Sequence, residues 1–343
     1  MKALKIASAG VVNYGDMPDP VAPAGWVKIK VLASSVCGSD LKSYKFGRAS
    51  GLENMVSGHE FVGIIVENNN EYSKWKVGQR VCVYPLPYCG ECEDCKAGRV
   101  NLCANRKYIG GKDYNGGFAE YTVVPEAFLM EVPASVSDIE ATLVEPFAVG
   151  MHAVNLAGGE KLKDQRVLIY GAGAIGLFAM EAVKHYGAKQ IIVLDMVPEK
   201  LAIAKAHGAT DVILANETAQ VLREKVMELT DGLGVDAVVD AVCLDITIDN
   251  AMHFCRPRGI IAVVGMTKTN LNMDMLQMMR KELTIVGSYT YTTEMQDCLN
   301  ILGSGTVSVS YIAEPVVKLS EGAQAFRKLV EQPAQCIKAV FLP

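Results

Sequence analysis

Four cysteines, Cys89, Cys92, Cys95 and Cys103, stand in the spacing Cys-x2-Cys-x2-Cys-x7-Cys. No other feature constrains the chain as strongly. Thiolates that close together can wrap one tetrahedral Zn²⁺, and a site with four protein ligands has no open position for chemistry. The expected metal is therefore structural, and any catalysis has to be sought elsewhere. A disulfide pair or four inert thiols are the competing readings. Disulfides fit poorly, because Met1–Gly10 carries Lys2 and Lys5 without the sustained apolar stretch of a secretory leader. The expected compartment is the reducing cytoplasm, where thiols serve metals or pack as small apolar groups. Cys82, Cys243, Cys255, Cys298 and Cys336 lie outside any ligand-like spacing and read as core filler.

A chain of 343 residues suggests two domains, each able to bury a core. Asp195, Asp236, Asp240 and Arg280 interrupt the most apolar regions, so no bilayer-spanning run is expected. The formal charge of −5 argues against a nucleic-acid partner held by a basic face.

The texture changes twice along the chain. Residues 1–145 read as β-rich: Val27–Leu32 alternates with period two, and Phe61–Val66 is an apolar strand ending in Glu67 and three Asn residues. Strands separated by Gly, Pro and Asn suggest an irregular barrel. Residues 146–288 alternate strands (167–170, 190–194, 237–240, 259–265) with helices (175–186, 198–207), the pattern of a doubly wound parallel sheet. Residues 289–343, with a helix expected at Ser320–Glu331, are too few for a core of their own and are expected to rejoin the first domain.

Gly171-Ala172-Gly173-Ala174-Ile175-Gly176 has the form G-x-G-x-x-G, with a strand before it and a helix after. The first Gly suits a tight turn, the second close approach of backbone to a pyrophosphate, and the third close helix–strand packing. The helix amino terminus offers unpaired N–H groups and a positive dipole end to phosphates. Asp195 follows Gly173 by 22 positions, where a carboxylate accepts hydrogen bonds from the adenosine ribose and repels a 2′-phosphate. Met196 comes next, where an NADP site is expected to place an Arg. NAD is the expected cofactor; a strand-end Asp that merely caps the next helix is the alternative.

Cys37-Gly38-Ser39-Asp40, then Gly58-His59-Glu60, then Glu145-Pro146 supply thiolate, imidazole and carboxylate, a workable zinc set with a fourth position for water or substrate. Spacing alone does not decide whether these residues ligate or are structural. These motifs, the cysteine lobe, Gly116-Gly117-Phe118-Ala119-Glu120-Tyr121 and the glycine-rich turn occur in an order that resembles the zinc-dependent medium-chain alcohol dehydrogenases. Gly-His-Glu and Glu145-Pro146 resemble the polyol branch, which includes sorbitol, threonine and galactitol-1-phosphate dehydrogenases.

The resemblance implies an α/β fold: a GroES-like β-rich catalytic domain in two segments, 1–145 and 289–343, with an inserted NAD-binding Rossmann domain of doubly wound parallel sheet, 146–288. It implies an active site in the cleft between them and one catalytic and one structural zinc per subunit. Cys37, His59 and Glu60 are implied as catalytic ligands, with Glu145 a nearby carboxylate that holds the metal's water or transiently ligates. Ser39 is implied as the hydroxyl that takes the substrate proton, and Lys200 as a second contact to the adenosine ribose beside Asp195. The implied reaction oxidises a secondary alcohol of a sugar alcohol, or of a hexitol phosphate such as galactitol-1-phosphate, to a ketose with hydride transfer to NAD. Zinc serves there as Lewis acid. L-Threonine 3-dehydrogenase is the alternative within the family. A non-catalytic zinc-binding scaffold is the alternative of another class, disfavoured by Glu91, Glu93 and Asp94 among the cysteines.

Three positions depart from the resemblance. Lys42 stands where many relatives place a relay His, while Ser43 and Thr290-Tyr291 stand where sorbitol dehydrogenases resemble Tyr and Arg-Tyr. Arg280–Ser288 looks more like galactitol-1-phosphate dehydrogenase, and Lys45 and Arg48 are loop cations that could meet a phosphate. No nucleic acid or membrane is expected as partner. A homodimer or homotetramer is, with Leu283–Tyr289 as the sheet edge joining subunits.

Overall fold

The alternating stretch Val27–Leu32 lies within a ten-residue strand, Trp26–Ser35, of the computed structural model, which describes residues 1–267 and 270–343. One edge of this strand pairs antiparallel with Glu60–Asn68. The other edge is shared: its first half pairs with Tyr121–Pro125, and Ser34 and Ser35 pair with Phe341 and Val340 of Lys338–Leu342. Ala313–Lys318 adds parallel to Lys338–Leu342, and Arg80–Val83 and Leu129–Glu131 extend the sheet beyond Glu60–Asn68. The carboxy-terminal strand thus completes a sheet begun more than 300 residues earlier, and the unit it closes comprises Met1–Pro146 and Met295–Pro343.

Apolar packing holds that closure. Phe341 lies in a cluster with Leu4, Ile6, Val36, Phe118 and Phe326, all buried. Its ring meets Phe118 edge-on at 5.2 Å between centroids, a favoured aromatic geometry. The tail helix covers Gly322–Glu331 and starts later than Ser320, because Leu319–Glu321 forms a tighter turn first. Ala325, Phe326 and Leu329 form its buried face.

The second unit, Phe147–Glu294, is built on six parallel strands. Their order is Asp211–Leu214, Gln190–Asp195, Arg166–Tyr170, Val235–Asp240, Cys255–Val263 and Thr284–Gly287. Val167, Leu168, Ile169, Val238, Val239, Ile261 and Ala262 are fully buried, as a parallel sheet covered on both faces requires. The strand order reverses between Arg166–Tyr170 and Val235–Asp240, and the crevice beyond the carboxyl ends at such a reversal is where ligands bind in open α/β sheets. Strand ends shift by one to four residues from those expected, the largest extension being Cys255–Val263 in place of 259–265. Among the described residues, no helix is long and apolar enough to cross a membrane.

Truncating Phe341 to Ala leaves a void beside two aromatic rings. It is expected to cost about 3–5 kcal/mol, read as a lowered urea midpoint; an unchanged midpoint would show that the last strand does not depend on this cluster.

Candidate active site

Cys37 caps the helix Gly38–Phe46. A thiolate there faces the positive end of the helix dipole and the free N–H groups of the first turn. Asp40, one turn in and buried, accepts a hydrogen bond from the Cys37 backbone N–H at 3.1 Å and so fixes the start of the turn. Ser39 sits exposed on the same first turn, and Lys42 is also exposed.

His59 is delivered by a crossing of glycine-rich backbone. The segment 116–118 runs along 56–58, with N–H groups of Gly116, Gly117 and Phe118 donating to the carbonyls of Val56, Gly58 and Ser57. A Cβ on Gly116 would lie 2.0 Å from the Gly58 carbonyl oxygen, and one on Gly110 would lie 2.5 Å from it. Only glycine tolerates that approach, which accounts for the Gly-Gly-Phe motif. Arg48 clamps the same loop: its guanidinium donates to the Met55 carbonyl (2.8 Å), Ser57 Oγ (3.1 Å) and the Gly111 carbonyl (3.0 Å). The loop cation that could have met a phosphate is committed to structure.

Glu60 opens the strand Glu60–Asn68 and is fully buried. Its carboxylate accepts from Lys338 Nζ at 2.8 Å and from the Ser35 hydroxyl, while Thr142 Oγ1 donates to its carbonyl at 2.9 Å. Donor atoms of Cys37, His59 and Glu60 all lie within 4.8 Å of one another. Glu145, buried in the first turn of the helix Val144–Ala157, is not among these mutually close donors, although its charge is felt at both His59 and Lys338.

The electrostatics show what this cluster wants. Burial works against a charged His59, yet Cys37 and the carboxylates of Asp40 and Glu145 outweigh it and raise the imidazole well above its ordinary pKa. Burial likewise disfavours a charged Lys338, but Glu60, Cys37 and Glu145 hold its pKa above the usual lysine value. A pocket that draws protons onto buried bases is one that a divalent cation can neutralise. A thiolate, an imidazole and a carboxylate, with no fourth donor in the set among the described residues, could hold a zinc ion with an open position. Asp40, Ser35, Thr142 and Lys338 were not singled out from sequence. Lys338 alone left a signal, as the one charge in the apolar run Cys336–Leu342.

The cysteine lobe is closed by contrast. Cys89, Cys92, Cys95 and Cys103 place their sulfurs within 4.8 Å of one another. Cys89 Sγ lies 3.5 Å from Cys103 Sγ and 3.9 Å from Cys95 Sγ, which bracket the ~3.8 Å between ligands of a tetrahedral Zn–S₄ centre and far exceed a disulfide. Backbone N–H groups of Glu91 and Cys92 lower the Cys89 thiol to about 6, whereas burial and the neighbouring Cys92 raise Cys95 to about 12.

In the second unit, the three glycines of the turn meet three different constraints. Gly171 has φ 98°, a conformation that disfavours any side chain. A Cβ on Gly176 would sit 1.7 Å from the Gly171 carbonyl oxygen, whereas one on Gly173 would have no neighbour within 4 Å, leaving a cradle that backbone can share with a pyrophosphate. Ala174 and Ile175 open the helix Ala174–His185 above this turn. Asp195 ends its strand beside it, Oδ2 accepting from Ala172 N at 2.6 Å and Oδ1 from Val197 N at 2.9 Å. It therefore braces the glycine turn and leads into the helix Pro198–Ala206, while each oxygen keeps a lone pair for a ribose hydroxyl. Lys200 lies half-buried in the first turn of that helix, and Met196 is exposed. Gly176→Ala drives a methyl into the Gly171 carbonyl. It is expected to weaken dinucleotide binding by at least about tenfold in a fluorescence titration with NADH; wild-type affinity would refute this account of the turn.

Residues 23–134 match the alcohol dehydrogenase GroES-like domain family, and residues 174–304 match the zinc-binding dehydrogenase family. Sorbitol dehydrogenase of Bacillus subtilis is 32% identical over 350 residues, covering 100% of this chain and 97% of that protein. L-Idonate 5-dehydrogenase of Vitis vinifera is 34% identical over 288 residues, 82% of this chain and 78% of that protein. The crystal structure of galactitol-1-phosphate dehydrogenase from Escherichia coli superposes with a TM-score of 0.90 at 27% identity, covering 100% of each chain. With a GroES-like and a Rossmann-type unit and relatives named for polyol oxidation, the chain belongs to the zinc-dependent medium-chain alcohol dehydrogenases, in their polyol branch.

Proposed function

We propose that the chain oxidises a secondary alcohol of an unphosphorylated sugar alcohol to a ketose, with NAD as hydride acceptor and two zinc ions per chain. The observation that carries this reading is the open donor set of Cys37, His59 and Glu60 in a pocket biased toward positive charge. These three residues would hold the catalytic zinc, with Glu145 beside them; Cys89, Cys92, Cys95 and Cys103 would hold the structural one. Zinc, when bound, supplies a Lewis acid, and NAD accepts the hydride.

The chain's own residues do the rest. The glycine turn 171–176 and the helix amino terminus behind it receive the pyrophosphate, and Asp195 with Lys200 receives the adenosine ribose. Asp195 favours NAD over NADP by repelling a 2′-phosphate, and exposed Met196 offers no compensating cation. Ser39 Oγ accepts the hydroxyl proton and, with Lys42 exposed at the position of the usual relay, passes it directly to water. The products are a ketone, NADH and one proton. The commitment of Arg48 to three loop acceptors supports a neutral polyol over its phosphate. The strand Thr284–Gly287 forms an edge of the six-stranded sheet, and a second copy pairing there would give a homodimer. Thiolate ligands suit the reducing cytoplasm.

A screen for NADH formation by zinc-replete protein, with hexitols, pentitols, their monophosphates and threonine, tests the substrate. Free polyols are expected to give the highest kcat/KM; preference for a monophosphate or for threonine would overturn the assignment. Cys37→Ser is expected to remove one zinc and at least about a thousandfold of turnover while NADH binding persists. Cys92→Ser is expected to remove the other zinc and lower thermal stability, measured by metal analysis and melting.

A further inference from the structure

Glu294 opens the helix Glu294–Ser304 and is 5% exposed. Its carboxylate is held from two sides. Oε1 accepts from His152 Nδ1 at 2.8 Å and from Asn155 Nδ2 at 3.2 Å, and Oε2 accepts from the Thr292 backbone N–H at 2.7 Å and from Thr292 Oγ1 at 3.0 Å. A carboxylate offers about four lone-pair sites, and these donors fill them. Asn155 is itself fixed, its Oδ1 accepting from the Tyr186 hydroxyl at 2.6 Å. Burial works against a charged Glu294, yet His152 and the Thr292 N–H outweigh it and lower its pKa to about 2. A carboxylate that only started its own helix would need Thr292 alone; His152 and Asn155 reach it from the helix Val144–Ala157.

The segment so held, 288–292, leaves the edge strand Thr284–Gly287 at the carboxyl end of the sheet, where Ser288 N donates to the Val263 carbonyl at 2.8 Å. Within it Thr290 has φ 49°. A β-branched residue is a genuine outlier there, and such a conformation persists only where its surroundings over-determine it, as at ligand clamps. Ser288 Oγ and Thr290 Oγ1 are buried with no hydrogen-bond partner among the described residues, as polar groups awaiting a ligand or water are. The glycine turn and Asp195 belong to the half of the sheet that takes the adenosine. The carboxyl ends of Val235–Asp240, Cys255–Val263 and Thr284–Gly287 border the other half of a dinucleotide.

We propose that Glu294, clasped between His152 and Thr292, is a positioning residue that holds segment 288–292 in the form that receives the nicotinamide end of the cofactor. The inference rests on the proposed dinucleotide site and deepens it. Thr292 is the direct link: with its N–H and hydroxyl on the carboxylate, the chain beyond Thr290 cannot turn back to an ordinary conformation without breaking both bonds. His152 and Asn155 keep the carboxylate where Thr292 meets it. With the clasp open, Thr290 relaxes, the receptive form becomes a fraction of the population, and apparent affinity falls by that fraction. Pyrophosphate and adenosine are received at the glycine turn and Asp195, so their share of the affinity is untouched.

Calorimetric titration of the zinc-replete chain with NADH and with ADP-ribose, which lacks the nicotinamide, separates the two halves. In Glu294→Ala the Kd for NADH is expected to rise about tenfold, the size of one lost charge-assisted hydrogen bond. The Kd for ADP-ribose is expected to stay within about twofold of wild type. Thr292→Val, which loses the hydroxyl and keeps the N–H, is expected to raise the NADH Kd about threefold, and it carries the test alone if Glu294→Ala does not fold. An equal effect on the two ligands would mark Glu294 as a packing residue, and an unchanged or lower NADH Kd would leave the segment independent of it; either result overturns the inference alone. A wild-type chain that binds neither ligand overturns the proposed cofactor site, and this inference with it.

Discussion

Negative charge placed where little water reaches it is the constraint on which the catalytic half of the molecule depends. Cys37, Glu60 and Glu145 converge, with Asp40 close behind, and the interior must answer them with positive charge. An uncompensated buried carboxylate is costly, and a buried ion pair rarely stabilises a fold more than apolar side chains of the same volume would. The Lys338–Glu60 pair answers part of that charge within the first unit. Its geometry depends on strand pairing. Val36 N donates to the Ala339 carbonyl at 2.9 Å, and Val340 stands opposite Ser35, so the last strand delivers its lysine to the ligand pocket through the backbone ladder itself.

That delivery explains why the first unit is discontinuous in sequence. Trp26–Ser35 has its edge opposite Glu60–Asn68 divided between Tyr121–Pro125 and Lys338–Leu342, so neither partner alone completes it. The 148 residues between, Phe147–Glu294, form a unit with its own buried sheet. The constraints differ in kind between the two. In the first unit, backbone approach at Gly58, Gly110 and Gly116 aims an imidazole; in the second, approach at Gly171 and Gly176 clears space for a cofactor. Glycine serves both, because each requires main chain to pass main chain without a side chain between.

Local chemistry was legible in the sequence and long-range chemistry was not. The cysteine lobe, the glycine turn and Cys37-Gly-Ser-Asp declare themselves because their parts lie within one or two turns of chain. Asp195 reads from the sequence as a ribose ligand or a helix cap, and its bonds to Ala172 and Val197 satisfy the second reading. Asp40 sat inside a quoted motif and went unread, since an acid in the first turn of a helix is ordinary and its contact with the Cys37 backbone is visible only in three dimensions. Lys338 lies 278 positions from Glu60, and no periodicity joins them. Arg48 shows the opposite error. It looked free because it lies in a loop, and three of its five N–H donors are taken by oxygens of Met55, Ser57 and Gly111.

The same charge accounting bears on which alcohols suit the proposed site. A divalent metal, when bound, would offset the Cys37 thiolate and the Glu60 carboxylate; Lys338 would add one positive charge and Glu145 one negative. Such a site would admit a neutral polyol without net electrostatic cost. A phosphorylated polyol brings nearly two further negative charges, and a buried phosphate needs paired cations with unoccupied N–H groups. Arg48 directs three of its five N–H donors into the loop that carries His59. Lys42 and Lys45 are exposed, so each would lose solvation to reach an anion. The proposed preference for a free polyol would thus rest in part on the residue that steadies the loop carrying His59.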